Sequence, residues 1–372
     1  MLNWMRLAAI ARKEVIQLRR DFRSLILAFL LPVLLLILFG YAITWDVDDI
    51  PLAVVDQDNT VASRELVSAF LSSHYFTLHT RLDRTSEIEP LLDRRTIRIG
   101  LVIPPKFSSD LATGRTAQLQ AIVDGSDANT ATIVLAYTQA VVQKYSAAIL
   151  LKGSSVKMPV TAESRVWYNE ELKSRNMIVP GLVAVIMMII AAMLTSLTIA
   201  REWERGTMEQ LAATPVTRLE VVLGKMLPYI AIGLIDVAVS SLLGVLLFGV
   251  AFRGNPFLLA VLSFFFLCGA LGLGMFISAL AKSQLLATQF AMVITFLPAY
   301  LLSGFMFAID VMPVPLQVIT FLVPARYFLV VTRGIFLKGV GIEVLWVQGL
   351  LMVAFAALGF LLAVRVFRKE LA

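Results

Sequence analysis

The residues of this chain that could do chemistry are few, and their spacing excludes more than it supports. His74 and His79 are the only histidines, five apart in a polar stretch, and Cys268 is the single cysteine. Neither an H-E-x-x-H nor a C-x-x-C pattern occurs, so no zinc site is written in the residue order and no disulfide can form within the chain. Asp56, Asp58, Asp124 and Asp127 end apolar runs, where carboxylates can hold calcium or act as acid and base. Asp also ends strands and caps helices everywhere, and with no nucleophile and base at a recognisable spacing that plainer reading is preferred. The phosphate-cradling pattern G-x-x-x-x-G-K-[ST] is absent: Gly224-Lys225 lacks the earlier glycine and is followed by Met226. The expectation is therefore a chain that is not an enzyme, has no catalytic residues, and holds no metal or cofactor of its own.

Charges in apolar surroundings carry more information. Asp236 lies well inside an apolar run, where an acid costs about 2.5–3.5 kcal/mol to insert, so contact with a cationic substrate or a proton is one reading. A hydrogen bond to a neighbouring helix, or a place near the interface, is the other. Arg326 and Arg333, seven apart, share a helical face and could meet anionic headgroups or substrate, although snorkelling accounts for them equally. Met177, Met187, Met188 and Met193, with Met208 beyond them, offer adaptable surface for a greasy substrate or simply pack.

The densest signal is REWERGTMEQLAATPV at 201–216, directly after an uncharged run. Arg201, Glu202, Glu204 and Arg205 fix where hydrocarbon ends, because none sits there cheaply. Gly206 permits a bend, Thr207 to Ala213 are good helix formers, and Thr214-Pro215 stop them. Thr217 and Glu220 then form a T-x-x-E capping box for the next helix. The result is a short bounded helix, suited to a partner's groove, with Met208 and Leu211 as apolar anchors.

The elements that must position these residues follow from composition. Of 372 residues 59% are hydrophobic and 16% charged, and mean hydropathy is +0.83, far from a soluble domain. Uncharged runs long enough to cross a bilayer lie near 25–44, 177–200, 228–250, 257–280, 285–308 and 346–364. The first is longer than a signal-peptide core and lacks a cleavage site, so it reads as an uncleaved anchor. Arg6, Arg12, Lys13, Arg19, Arg20 and Arg23 precede it, and Asp46, Asp48 and Asp49 follow it. The positive-inside rule then puts the N-terminus in the cytoplasm. Six crossings return Arg201, Arg205, Arg218, Lys225 and Lys282 to the same side, with Arg365, Arg368 and Lys369 at a cytoplasmic C-terminus. Arg253, Arg326, Arg333 and Lys338 fall outside. The first 22 residues place Trp4, Leu7, Ala11, Val15, Leu18 and Phe22 on one stripe, predicting a helix flat in the headgroup region with its basic residues toward lipid phosphates.

Between the first two runs lies a long polar segment. Strands are expected at 51–56, 75–80, 97–103 and 117–124, with helices at 60–73 and 85–94. A longer helix from 127 to about 150 reads as a stalk leading back to the membrane. Pieces 316–323 and 325–337, split by Pro324 and too short to cross, read as re-entrant or interfacial. The fold class expected is a polytopic α-helical membrane protein: six transmembrane helices, re-entrant helices before the last, and an α/β extracytoplasmic domain between the first two spans. Its parts are an amphipathic helix at 1–24, a first span at 25–44, the α/β domain at 45–176, and a five-helix region at 177–372. The last contains the bounded helix in 201–215 and the re-entrant segment at 309–339.

These residues resemble the permease subunits of type-2 ABC exporters, in the bacterial multidrug-type branch with a large extracytoplasmic loop. The resemblance rests on R-E-x-E-R-G-T-M-E-Q-L-x-x-T-P at 201–215, GKMLPY at 224–229 and LSGFMFAIDVMPVPLQVITFLVPARYFLVVTRGIFLKG at 302–339, and it spans essentially the whole chain. It implies that the 201–215 helix is a coupling helix seated on a separate nucleotide-binding ATPase subunit, which binds ATP and Mg. Coupling would fall to Glu202, Glu204, Arg205, Gly206, Thr207, Met208, Glu209, Gln210 and Leu211, with Asp236, Arg326 and Arg333 as candidates for the substrate path. The flat N-terminal helix would be the family's connecting helix, and the re-entrant helices would close the outer exit. The implied assembly is a dimer of permeases, identical or paralogous, in the bacterial inner membrane, contacting lipids and no nucleic acid. Export of a hydrophobic or amphipathic, drug-like substrate is the activity implied. A lipid, glycan or cation exporter of the same family stays open beside it, as does a membrane-anchored receptor or scaffold that transports nothing.

Overall fold

A computed structural model of the chain describes residues 3–43, 49–126, 128–151, 167–169 and 173–367. Asp46, Asp48, Asp127, Arg368 and Lys369, used in the sequence reading, lie outside the described residues. The chain divides into two compact units, one formed by Met1–Thr44 with Arg165–Ala372 and the other by Trp45–Ser164.

The smaller unit is a four-stranded sheet in the order β2-β1-β3-β4, where β1 is Ile50–Asp56, β2 Phe76–Leu82, β3 Ile99–Ile103 and β4 Gln120–Val123. β1 pairs parallel with β2 and β3, and β4 closes the edge antiparallel to β3. Alternation along β1 sends Leu52 and Val54 to one face, with Leu66, Phe70 and Leu101, and Ala53 and Val55 to the other, with Ile88 and Val102. Both faces being covered explains why PLAVVD reads as a continuous apolar run rather than an alternating one. Gly100 is needed where Ile88 crosses β3, since a Cβ there would stand 2.5 Å from the Ile88 Cγ2. The 128–151 helix is a layer of this unit and not a free stalk: Val134 and Val141 belong to the sheet core, and the Tyr145 hydroxyl donates to the Ala62 carbonyl at 2.9 Å. A short helix at Phe107–Ala112 has no counterpart in the sequence reading.

The larger unit is helical. Among the described residues five helices are long and apolar enough to cross a bilayer: Ser174–Glu204, Arg218–Phe248, Pro256–Ala281, Gln284–Leu301 and Ile342–Val366. Ahead of them a helical run extends from Phe22 through a π-helical stretch at Ile26–Leu30 into Leu31–Ala42, and its apolar part, Ala28–Ala42, is shorter than the five. The 174–204 helix is the hub, buried almost all round, as expected of a helix apolar on every face. Helices 256–281 and 342–366 approach backbone to backbone, with a Cβ on Gly272 standing 2.5 Å from the Gly359 carbonyl carbon.

Two π-helical stretches have a common cause. Pro32 follows Ile26–Leu30 and Pro298 follows Met292–Phe296. A proline lacks an N–H and clashes with the carbonyl four residues earlier, and widening the preceding turn relieves both. Val314–Thr320 and Pro324–Lys338 meet at 77°, with Pro324 opening the second piece.

Candidate functional site

The 201–216 stretch folds as its residues require. The 174–204 helix runs past the last uncharged residue, Ala200, and closes at Arg205. Gly206 takes φ +68°, a left-handed turn residue with nothing within 4 Å of where a Cβ would be. A helix of six residues, Met208–Ala213, follows and stops at the extended Thr214. The capping box then forms in full: the Thr217 N–H donates to Glu220 at 2.7 Å, and the Glu220 N–H donates to the Thr217 hydroxyl at 3.3 Å.

Around this turn the acids and bases do not simply face water. Lys225, 2% exposed, donates to Glu14 at 2.5 Å and to Glu202 at 3.2 Å, and these carboxylates are 3% and 5% exposed. Lys13 donates to the same Glu202 oxygen at 2.6 Å, and the Thr207 hydroxyl donates to the other one. Arg201 pairs with Asp21 at 2.8 Å, and the Tyr229 hydroxyl reaches Glu14 at 3.5 Å. Three elements, the 4–20 helix, the end of 174–204 and the start of 218–248, are thereby held by one buried network. Glu220 extends it by accepting the Asn3 N–H at 2.8 Å, and Arg6 donates to the Pro215 carbonyl. Glu204 caps the 284–301 helix, accepting the Gln284 N–H at 2.7 Å, and the Lys282 ammonium sits 4.8 Å from the centre of the Trp203 ring.

The 4–20 helix has two apolar faces, which corrects the single stripe expected. Leu7, Ile10, Glu14 and Leu18 are buried, whereas Trp4 and Phe22 are 75% and 74% exposed and Val15 is also exposed. The buried face lies tight on 218–248: a Cβ on Gly224 would stand 2.8 Å from the Ile10 Cβ and 3.2 Å from the Leu7 carbonyl oxygen.

The nine residues assigned to coupling thus sort by position. Glu202 and Thr207 are inside the network, Glu204 is a cap, and Gly206 is the turn. Arg205, Glu209 and Gln210 are exposed, Leu211 is half-buried, and Met208, expected as an outward anchor, is 3% exposed. Of the path candidates, Asp236 is 3% exposed and its Oδ2 meets no hydrogen-bond donor among the described residues. Arg333 donates to the carbonyls of Met177 at 3.2 Å and Gly304 at 3.4 Å, tying its helix to the hub. Arg326 instead holds the 77° bend, donating to the Thr320 hydroxyl with its guanidinium 4.2 Å from the Phe321 ring centre. No ion pair joins these three among the described residues.

The strand-end carboxylates act as turn and cap acceptors. Asp56 accepts from the N–H groups of Asp58 and Asn59, and from the Ser63 hydroxyl at 2.7 Å. Asp58 accepts from Thr60 at 2.6 Å and from both donors of Ser108, and Asp124 pairs with Arg98 at 3.4 Å. Burial pushes the Asp58 carboxyl up, but the Thr60 and Ser108 hydrogen bonds outweigh it and leave its pKa below the ordinary value. Among the described residues no His, Cys, Asp and Glu group could hold a metal.

Glu14, Asp21 and Tyr229 were missed from the sequence. Glu14 had a signal, being the lone acid of a basic helix at the i, i+3, i+7, i+11 spacing of Leu7, Ile10, Glu14 and Leu18. Lys225 had one too, as the one cation between Glu220 and the end of its helix, set among the apolar residues Val221, Val222, Met226 and Leu227.

The chain is 36% identical over 359 residues to "Probable multidrug ABC transporter permease YbhS" of Escherichia coli, covering 96% of this chain and 95% of that one. It is 34% identical over 343 residues to "Probable multidrug ABC transporter permease YbhR" of the same organism, covering 92% of each. To "Linearmycin resistance permease protein LnrN" of Bacillus subtilis it is 24% identical, covering 93% of this chain and 95% of that one. Residues 22–365 match the ABC-2 family transporter protein, a match that takes in the hub helix, the 201–216 stretch and the bent helix pair alike, and the chain belongs to that family.

Proposed function

We propose that this chain is the membrane-spanning permease of an ATP-driven exporter of hydrophobic or amphipathic, drug-like molecules, working as a pair of permeases with two separate ATPase subunits that bind ATP and Mg. The observation that carries the reading is the short exposed helix Met208–Ala213, seated on a junction locked by the Lys225, Glu14 and Glu202 network. A force applied to that helix is passed through Gly206 and Thr207 to Glu202, and so to three packed elements at once, with little slack. Arg205, Glu209 and Gln210 are the side chains on this helix and its approach that face outward for a partner, joined by half-buried Leu211.

The charge pattern supports six crossings with both termini in the cytoplasm of a bacterial inner membrane, the 22–42 helical run serving as the first. At 1.5 Å per residue that run is about 31 Å long, enough to cross. On this reading the α/β unit lies outside and the pair Val314–Thr320 and Pro324–Lys338 is re-entrant at the outer exit. Two permeases of one organism match at 36% and 34%, which supports a paralogous partner as readily as an identical copy. The names of the relatives support a drug-like substrate. The test is charge reversal at an exposed coupling position: Glu209→Arg leaves insertion and folding intact and abolishes ATP-driven export. Export that survives in a folded variant defeats the coupling assignment.

A further inference from the structure

The junction carries a charged feature beyond its buried network, and it shares Arg205 with the coupling stretch. A cleft of about 650 Å³ opens between the 4–20 helix and the end of 174–204, lined by Arg12, Lys13, Arg20, Arg201 and Arg205, with Asp21 the one acid. Asp21 pairs with Arg201 and Glu202 with Lys13, so two of the five cations are matched. Arg12, Arg20 and Arg205 are exposed and have no carboxylate within pairing distance among the described residues.

We infer that this cleft binds the phosphate-bearing headgroup of an anionic phospholipid. Three unmatched guanidiniums converging on one concavity suit a phosphodiester, which arginine engages with two parallel hydrogen bonds. A lipid is favoured over the acidic face of a soluble partner because apolar residues adjoin the cations. Ile16 lines the cleft and is 43% exposed, and Phe22, 74% exposed, begins the helical run into the membrane. The uncharged stretch of 174–204 ends at Ala200, one residue before Arg201, so the cleft stands where hydrocarbon gives way to headgroups. The site joins a lipid to both the network and the coupling stretch through Lys13 and Arg205, making the junction sensitive to leaflet charge. It rests on reading this end of the chain as the cytoplasmic membrane surface.

The experiment is native mass spectrometry of the full chain, purified alone in detergent and titrated with dioleoyl phosphatidylglycerol, dioleoyl phosphatidylcholine, or inorganic phosphate. Phosphatidylglycerol is retained selectively, and Arg12→Ala with Arg20→Ala weakens its retention about 25-fold, fivefold for each arginine. The control pair Arg19→Ala with Arg218→Ala removes the same charge away from the cleft and changes retention less than about twofold. Equal retention of phosphatidylcholine, or equal weakening by the control pair, overturns the site. Displacement of the lipid by equimolar phosphate gives the cleft to a free anion. Unchanged lipid retention in the Arg12 and Arg20 variant, together with loss of the ATPase subunit when the same variant is isolated from membranes holding the assembled transporter, gives it to a protein partner. Because binding is read on the chain alone, it fails or succeeds separately from ATP-driven export.

Discussion

Replacing Lys225 with Met tests the buried network most severely. The substitution keeps the length of the side chain and removes the one cation shared by Glu14 and Glu202, at 2.5 and 3.2 Å. The two acids do not suffer equally. Glu202 keeps Lys13 at 2.6 Å and the Thr207 hydroxyl, whereas Glu14, 3% exposed, keeps only the Tyr229 hydroxyl at 3.5 Å among the described residues. Leaving a buried charge without its partner costs about 3–5 kcal/mol, and the loss here falls on Glu14. Adding Glu14→Gln removes the stranded charge while keeping an acceptor for Tyr229, and the double variant returns to within about 1 kcal/mol of the parent, because a buried pair replaced as a unit is often neutral. Glu202→Gln alone is milder than Lys225→Met, since Lys225 retains Glu14. The assay is reversible unfolding in mild detergent, followed by the intrinsic fluorescence of the tryptophans, Trp203 beside Lys282 among them. A Lys225→Met protein within about 1 kcal/mol of the parent, or a double variant as unstable as the single one, refutes the reasoning.

Three further outcomes follow from local geometry. Gly224→Ala puts a methyl 2.8 Å from the Ile10 Cβ and 2.9 Å from its Cγ2, and after the gain in helix propensity a net loss of about 1–2 kcal/mol is expected, read as faster tryptic cleavage within the 4–20 helix and relieved only in part by adding Ile10→Ala, which removes the Cγ2 and keeps the Cβ. At Gly206, with φ +68° and open space around it, Gly206→Ala lowers ATP-driven export and costs about 1 kcal/mol of conformational strain, while Gly206→Asn, which tolerates the left-handed region, retains most of the activity. Because the folded Asp58 carboxyl lies below its ordinary value, its contribution is present above about pH 4 and lost as pH falls through the depressed pKa; thermal scans between about pH 5 and pH 2.5 show that loss, and Asp58→Asn removes it.

The parts legible in the sequence were those written by local rules. Gly206 gave the bend, Thr214-Pro215 the stop, Thr217 and Glu220 the capping box, and Pro324 the break between the bent pair, each through backbone chemistry that acts over a few residues. The sheet unit was readable because β1 and β3 are short apolar runs between turn residues. What stayed hidden depends on long-range pairing. That Glu14 and Lys225 meet across 211 residues of chain, or that Arg333 ends on the Met177 carbonyl, is decided by which helices pack together, and no spacing rule reports it. The same cause misplaced Met208: helical periodicity marks an apolar residue but does not say whether a partner or the chain itself covers it. The 128–151 helix misled in the opposite sense, its apolar residues facing a sheet that follows only from the fold.

The claim on which the account turns is that Met208–Ala213 is the surface an ATPase subunit receives. A photo-crosslinking residue placed at the exposed Gln210, compared with one at the exposed Val314, addresses it in membranes holding the assembled transporter. The account predicts an adduct between this chain and the ATPase polypeptide from position 210 and none from position 314. An adduct from 314, or none from 210 while the two proteins still co-purify, would contradict it.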